Sequence, residues 1–325
     1  MRMFKRFTPI ICAVLALHFL PTASASEVPA TFSFTGAGYG HGVGMSQIGA
    51  KARAVAGESA TAILKYYYKN VEVLPVVDTA TISVNIAHQV SALSIALPVT
   101  DTATITIDTA VATSLPQNSA LNFAMAGKLI SGPGGVGRTW VIKWNNPQSV
   151  VSVNFGKTKF LVNHGYLQLK AVNAPGLGFR IEATNWLRLH DEYLYGIAEV
   201  PSSWPAAALQ SQAIASRTYA LMRMNSIKKA CDCHVYNSKY DQAFVGYSKE
   251  GEPRYGQFWK AAVDATAVDA GSGLAITINQ LPVSVFFSSS SGGMTQRAVD
   301  VWGTDIPHLV NVADPWSIDP EIGRA

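Results

Sequence analysis

One carboxylate stands alone in a long acid-free stretch. From Tyr193 to Cys231 the only acidic residue is Glu199, within YLYGIAEVPSSWPAAALQSQAIASRTYAL (Tyr193–Leu221). Its neighbours Ile197, Ala198 and Val200, with Trp204 close behind, are apolar. An apolar setting disfavours the charged form and holds a carboxyl proton towards neutral pH. A carboxyl in that state is a general acid. The other reading is a surface glutamate at the entrance to the next helix.

The element that must position Glu199 is that helix. Ser202-Ser203-Trp204-Pro205 reads as a helix start, with Ser203 as cap and Pro205 in the first turn. The helix expected over 206–224 is apolar on most sides, which predicts burial. Gln210 and Arg217 share one face, and Gln212 lines up with Ser216 and Tyr219. Buried amides and guanidinium groups need partners, so these residues are either structural ties or the wall of a site. A helix N-terminus also favours anions, which opposes a protonated Glu199 if the two point at each other.

Four stretches together resemble the SpoIID/LytB family of stage II sporulation D and amidase-enhancer proteins. They are the Tyr193–Leu221 segment, DQAFVGY (Asp241–Tyr247), FFSSSSGGMT (Phe286–Thr295) with the later DPWS, and GYGHGVGMSQIGA (Gly38–Ala50). The glycine-histidine stretch precedes the main block here, a permuted order that resembles secreted, actinobacterial-type members. The resemblance implies an α+β, SpoIID-like mixed fold with one buried helix after the glutamate motif. It also implies a peptidoglycan lytic transglycosylase without cofactor, cleaving bonds between N-acetylmuramic acid and N-acetylglucosamine with Glu199 as single acid/base. His41, Gln47, Gln212, Arg217, Gln242, Ser289, Ser290, Gly292, Gly293 and Thr295 are the implied substrate-binding positions. The alternative implied function is a non-catalytic wall-binding enhancer of a cell-wall amidase. The chain departs from the family pattern at Gln210, where a Lys or Arg is usual, and at Phe244, Ile48 and Asp241. At Asp241 some members have a zinc-ligating cysteine.

Ordinary glycoside hydrolysis uses two carboxylates, and the sequence around Glu199 offers one. The serine run Ser288–Ser291 lacks G-x-S-x-G spacing, so it does not read as a nucleophile elbow. The alternating glycines Gly38, Gly40, Gly42 and Gly44 lack the strand, helix and acidic partner of a dinucleotide fingerprint.

Residues 1–25 read as a signal peptide: Arg2, Lys5 and Arg6, an apolar run over 7–20, and Ala23-Ser24-Ala25 for cleavage. Export to the cell wall or the extracellular space follows, an uncleaved anchor being the alternative. No later stretch is long and apolar enough to span a membrane. The leader holds three of the 25 Lys+Arg and none of the 21 Asp+Glu, so the mature chain is nearly neutral. Without clustered bases it does not read as a nucleic-acid binder, and a near-neutral glycan suits it better. Past the leader, the cysteines are Cys231 and Cys233 in A-C-D-C-H. They suit a disulfide in an exported protein, or zinc ligation together with His234.

The organisation expected is a glycine/histidine segment over 26–70 packing on the main domain, a β-rich insert over 71–155, and the SpoIID/LytB domain over 156–325. Strand-like alternation covers 31–35, and one helix with an aromatic end is expected over 50–68. The echo of DTATISV from Asp78 in DTATITI from Asp101 predicts two paired strands. The insert reads as a spacer or an oligomer contact.

Overall fold

Period-two burial drives the architecture. In Tyr166–Ala174 the side chains of Leu167, Leu169 and Ala171 turn inwards while those between them are half-buried. The computed structural model describes residues 31, 33 and 36–317. The leader over 1–25 and most of the strand expected over 31–35 lie outside the described residues.

Two sheets face one another. The seven-stranded sheet runs, in spatial order, Val235–Tyr236, Thr81–Val90, Gly178–Arg188, Tyr166–Ala174, Thr139–Trp144, Ala103–Ile107 and Thr113–Leu115. The six-stranded sheet is built from strands between Ala92 and Val162. Ile82, Val84, Leu167, Leu169 and Ile181 of the first meet Ile95, Phe123, Val151 and Val153 of the second in one core. The strands of 71–155 thus supply five of the six strands of the second sheet and also enter the first, where Thr81–Val90 pairs with Gly178–Arg188. The two DTAT segments do not pair. They lie in the same sheet with three strands between them, because the long Gly178–Arg188 strand takes the edge beside Thr81–Val90.

The helices form a second layer with their own apolar core of Ile63, Leu64, Tyr67, Ile214 and Ile276. With its helices gathered on one side of mainly antiparallel sheets, and the pair Glu72–Val77 and Ser272–Ile278 packed against them, the fold is α+β. Where one helix was expected over 50–68 there are two, α1 (Gln47–Val55) and α2 (Ala60–Tyr67). The break follows Gly57 at φ +91°, and Ser59 starts the second helix by accepting the Ala62 N–H at 3.2 Å. Helix α3 (Ala206–Arg223) is buried along most of its length. Ser203 does not cap it: Pro205 occupies the cap position with extended backbone, and the helix begins one residue later. Helices α4 (Tyr247–Glu250) and α5 (Gly256–Asp264) follow, α5 packing on α3. Among the described residues no helix is long and apolar enough to cross a membrane.

The glycine-histidine motif is zipped onto the serine motif some 250 residues later in the chain. Met45–Ser46 runs parallel to Phe287–Ser288, Tyr39 pairs with Ser290, and Ile48 N–H donates to the Ser289 carbonyl at 3.0 Å. Gly44 shows why glycine is required. Its φ is +75°, and a Cβ there would lie 2.0 Å from the Phe286 carbonyl oxygen.

Candidate active site

Glu199 is held by the backbone of Ala243. The Ala198 N–H donates to the Ala243 carbonyl at 2.7 Å, and the Ala243 N–H donates back to Glu199 Oε1 at 2.6 Å. Val245 N–H reaches the Gly196 carbonyl at 2.8 Å, so the segments 196–199 and 243–245 form a short ladder. Gly196 has no room for a side chain, since a Cβ would meet the Phe244 ring at 2.3 Å. From the other side the buried Lys249 ammonium donates to the Val200 carbonyl at 2.6 Å. Burial pushes the Glu199 carboxyl above its ordinary range, and the Ala243 N–H offsets this only in part. The carboxylate takes its amide from Ala243 and not from α3, so the opposing helix-terminus interaction is not made through a hydrogen bond.

Behind Glu199 lies a buried polar chain. Tyr193 stacks on Phe244 at 5.5 Å and donates its hydroxyl to Gln242 Oε1 at 2.6 Å. Burial raises this phenol well above its ordinary range, and the nearby Tyr219, Glu199 and Asp241 raise it further. Those groups therefore gather around one hydroxyl. Gln242 is fully buried, and its Nε2 has no partner among the described residues.

Tyr219 and Asp241 lead into a cavity of about 180 Å³. His41, Phe286, Phe287 and Trp302 form its aromatic wall, with Tyr219 and Tyr240 beside them. The His41 ring meets Trp302 at 5.0 Å. It accepts the Val43 N–H at Nδ1, while burial holds its pKa down and the Phe287 backbone opposes this in part. His41 is thus a wall ring with Nδ1 engaged.

The polar edge of the cavity is Arg223, Lys239 and Asp241. Asp241 is saturated by Lys228 Nζ (3.0 and 3.1 Å), the Tyr219 hydroxyl (3.1 Å) and the Tyr236 N–H (2.8 Å). Arg223 stacks on Tyr219 at 4.7 Å and stands 3.8 Å from Asp241. Lys239 forms no ion pair among the described residues. The edge is therefore net positive. Nothing at the sequence level singled out Arg223, Lys239 or Tyr240, because their meeting depends on the loop after α3 folding back over its end.

Several positions expected to bind substrate are engaged elsewhere. Arg217 is fully buried, paired with Asp78 at 2.7 Å and bonded to Thr266 Oγ1 and the Leu274 carbonyl. Gln47 Nε2 donates to Gln212 Oε1, and Gln212 Nε2 donates to Ser216 Oγ, all within the protein interior. Ser290 Oγ donates to the Ser317 carbonyl, and Thr295 Oγ1 bridges the Val310 carbonyl and the Val312 N–H. The Ser289 carbonyl receives Ile48 N–H, and the amides of Gly292 and Gly293 point to Ser290, Ser291 and Ser317 hydroxyls. These groups tie the two motifs together and do not line the cavity.

Cys231 and Cys233 form a disulfide. That corrects the zinc alternative, since no thiolate remains and His234 Nδ1 is held by Ser83 N–H and Oγ. Among the described residues no cluster of His, Cys, Asp and Glu fits a metal. The disulfide and Asp241 pin the loop. A larger depression of about 500 Å³ over the outer face of the six-stranded sheet holds no titratable group, so it offers no acid/base chemistry.

Residues 179–270 match the SpoIID family model, described as Stage II sporulation protein. This stretch is similar to that family. Stage II sporulation protein D of Bacillus subtilis (strain 168) is 31% identical over 134 residues, covering 39% of this chain and 38% of that protein. The Amidase enhancer of the same strain is 29% identical over 125 residues, covering 38% of this chain and 15% of that protein. The chain thus spans well under half the length of either relative. No solved structure matches it significantly. The SpoIID match takes in Glu199, Asp241 and Lys249 but leaves His41, Phe286 and Trp302 outside. The cavity is therefore built jointly by the SpoIID stretch and by the motifs on either side of it.

Proposed function

We propose that this chain is an exported peptidoglycan lytic transglycosylase in which Glu199 is the acid/base. The SpoIID match supports a cell-wall-related function, and the observation that carries the enzymatic reading is the Glu199 carboxyl itself. It is largely buried, shifted towards its protonated form and fixed by Ala243 N–H, and it shares the surroundings of the Tyr193 hydroxyl with Tyr219 and Asp241 of the aromatic, net-positive cavity. Glu182 is also pushed up, but it is enclosed by Asn85, His88 and the Gln89 N–H.

In this mechanism the Glu199 proton passes to the glycosidic oxygen between N-acetylmuramic acid and N-acetylglucosamine as the C–O bond breaks. The resulting carboxylate takes the proton of the muramic acid 6-hydroxyl, whose oxygen closes on the anomeric carbon. The product is a 1,6-anhydro end, no water is consumed, and Glu199 returns to its starting state. Aromatic walls suit the apolar faces of sugar rings, and Arg223 with Lys239 suits a carboxylate on the strand.

The second reading, a wall-binding module that enhances a cell-wall amidase, draws on the similarity to the Amidase enhancer and on Arg217 being engaged with Asp78. Mass spectrometry of purified wall treated with the protein separates the two. Anhydro ends with wild type and none with Glu199→Gln support the enzyme. Glycan binding without new sugar ends in either protein supports the enhancer.

A further inference from the structure

The aromatic lining does not stop at the cavity. Tyr240, which lines it, is 78% exposed, and its ring lies 6.5 Å from that of Tyr236. Tyr236 in turn lies 5.3 Å from the ring of the exposed His88. We infer that Tyr236 and His88 extend the cavity as a shelf on which further sugar rings of the bound glycan strand stack. This rests on the reading of the cavity as a glycan site.

The anchoring of these rings argues for a use beyond packing. Scattered exposed aromatics are ordinary, but here the Tyr236 backbone and the His88 ring are each held by a buried carboxylate. The Tyr236 N–H donates to Asp241 Oδ2 at 2.8 Å, and Val235–Tyr236 runs parallel to Val84–Asn85 as an edge strand. His88 Nδ1 is held at 2.8 Å by Glu182, whose side chain is completely buried. Glu182 lies opposite an irregularity in register, where Gln89 takes φ +54° and donates its N–H to Glu182 Oε1. An extra residue in one strand turns a side chain out of the regular alternation. Here the bulge and the buried acid together fix an imidazole at the surface with its other nitrogen unengaged among the described residues.

The chemistry fits a neutral, polyhydroxylated strand. Pyranose faces carry C–H groups that pack on aromatic rings, while Tyr hydroxyls and the free imidazole nitrogen can meet sugar hydroxyls. Successive rings on the shelf are turned by 65° and 79°, which suits a strand whose sugar units rotate along its length better than a flat ligand.

The test uses the full chain with Glu199→Gln, so that the strand is not cut, and calorimetric titration with chitin oligomers from dimer to hexamer. The affinity of the parent rises with oligomer length. Tyr236→Ser and, independently, the surface change His88→Ala lower hexamer affinity about fivefold to tenfold, one stacking contact, and leave the dimer unchanged. Retention of the full length dependence in both variants overturns the shelf, as does an equal loss for dimer and hexamer. If the parent binds neither oligomers nor peptide-free wall glycan, the glycan reading of the cavity fails with it.

Discussion

Arg217 meets Asp78 at 2.7 Å with neither side chain exposed to solvent. The contact joins the middle of α3 to the residues entering the Thr81–Val90 strand, and His190 Nδ1 closes on the other Asp78 oxygen at 2.6 Å. A polar residue of the buried helix is therefore a tie between the helical layer and the seven-stranded sheet. Removing one member leaves an uncompensated buried charge, which costs about 3–5 kcal/mol. Asp78→Asn is expected to lower stability by that amount in urea unfolding. The fraction still folded at low temperature keeps wild-type affinity for chitin hexamer. A loss of affinity in that folded fraction would instead return Arg217 to the binding site.

Glu199→Gln removes the proton donor but keeps an oxygen for the Ala243 N–H. It is expected to fold normally and to lose activity by about two to four orders of magnitude. The pH dependence has a definite sign. The folded-state pKa of Glu199 is raised, so its contribution to stability is complete below the ordinary carboxyl range and is lost as pH rises through the raised value. Activity that needs the protonated acid falls over the same upper limb. Thermal unfolding of wild type and Glu199→Gln as a function of pH therefore diverges upwards from the ordinary carboxyl range, the variant lacking that loss. Parallel curves would show that Glu199 is not the shifted group.

How far the sequence could be read depends on how local the cause was. The burial of Glu199 and of α3 was legible because apolar spacing and isolation along the chain reflect burial directly. The break between α1 and α2 was visible as Gly57 and Ser59 but was overridden by the apolar run around it. The separation of the two DTAT strands was not legible, since strand neighbours are set by non-local pairing with Gly178–Arg188. The roles of Arg217, Ser290 and Thr295 were hidden for a related reason. A polar side chain in a motif reads alike whether its partner is a ligand or a carbonyl brought from far along the chain. Arg223, Lys239 and Tyr240 carried no local signal at all.

Lys249 supports the catalytic segment through the Val200 carbonyl, and burial pulls its pKa down to about 8. The unfolded chain binds more protons than the folded one from there up to the ordinary lysine value, so this group makes stability rise with pH across that window. Lys249→Met is expected to abolish that rise. It also frees the backbone next to Glu199, so kcat should fall by about one order of magnitude with KM nearly unchanged, a loss of alignment and not of binding. An effect on KM alone would contradict the positioning role.

The loop that carries Lys239 and Tyr240 is held by the Cys231–Cys233 disulfide and by Lys228 on Asp241. A chelator should therefore leave both melting temperature and glycan affinity as they are. Reduction should weaken affinity for chitin hexamer, and Asp241→Asn should weaken it more, because the latter strips partners from Lys228 and the Tyr236 N–H together. A fall in melting temperature with chelator, reversed by added zinc, would mean that the thiols bind metal in solution.

Asp241 is fully engaged by its neighbours, whereas Lys239 has no acidic partner among the described residues and Arg223 only a distant one. An anionic group on the ligand would find both cations at the cavity edge, and screening by salt would weaken that attraction. Arg223→Gln combined with Lys239→Gln should lower affinity for peptide-free muramic-acid glycan about tenfold, roughly the sum of two partly exposed charge contacts. The same double variant should leave chitin oligomers, which lack the carboxylate, far less affected. Raising the salt should erase the wild-type advantage for the muramic-acid strand and change the double variant little. Equal losses on both ligands, insensitive to salt, would mean that Arg223 and Lys239 shape the wall without reading charge.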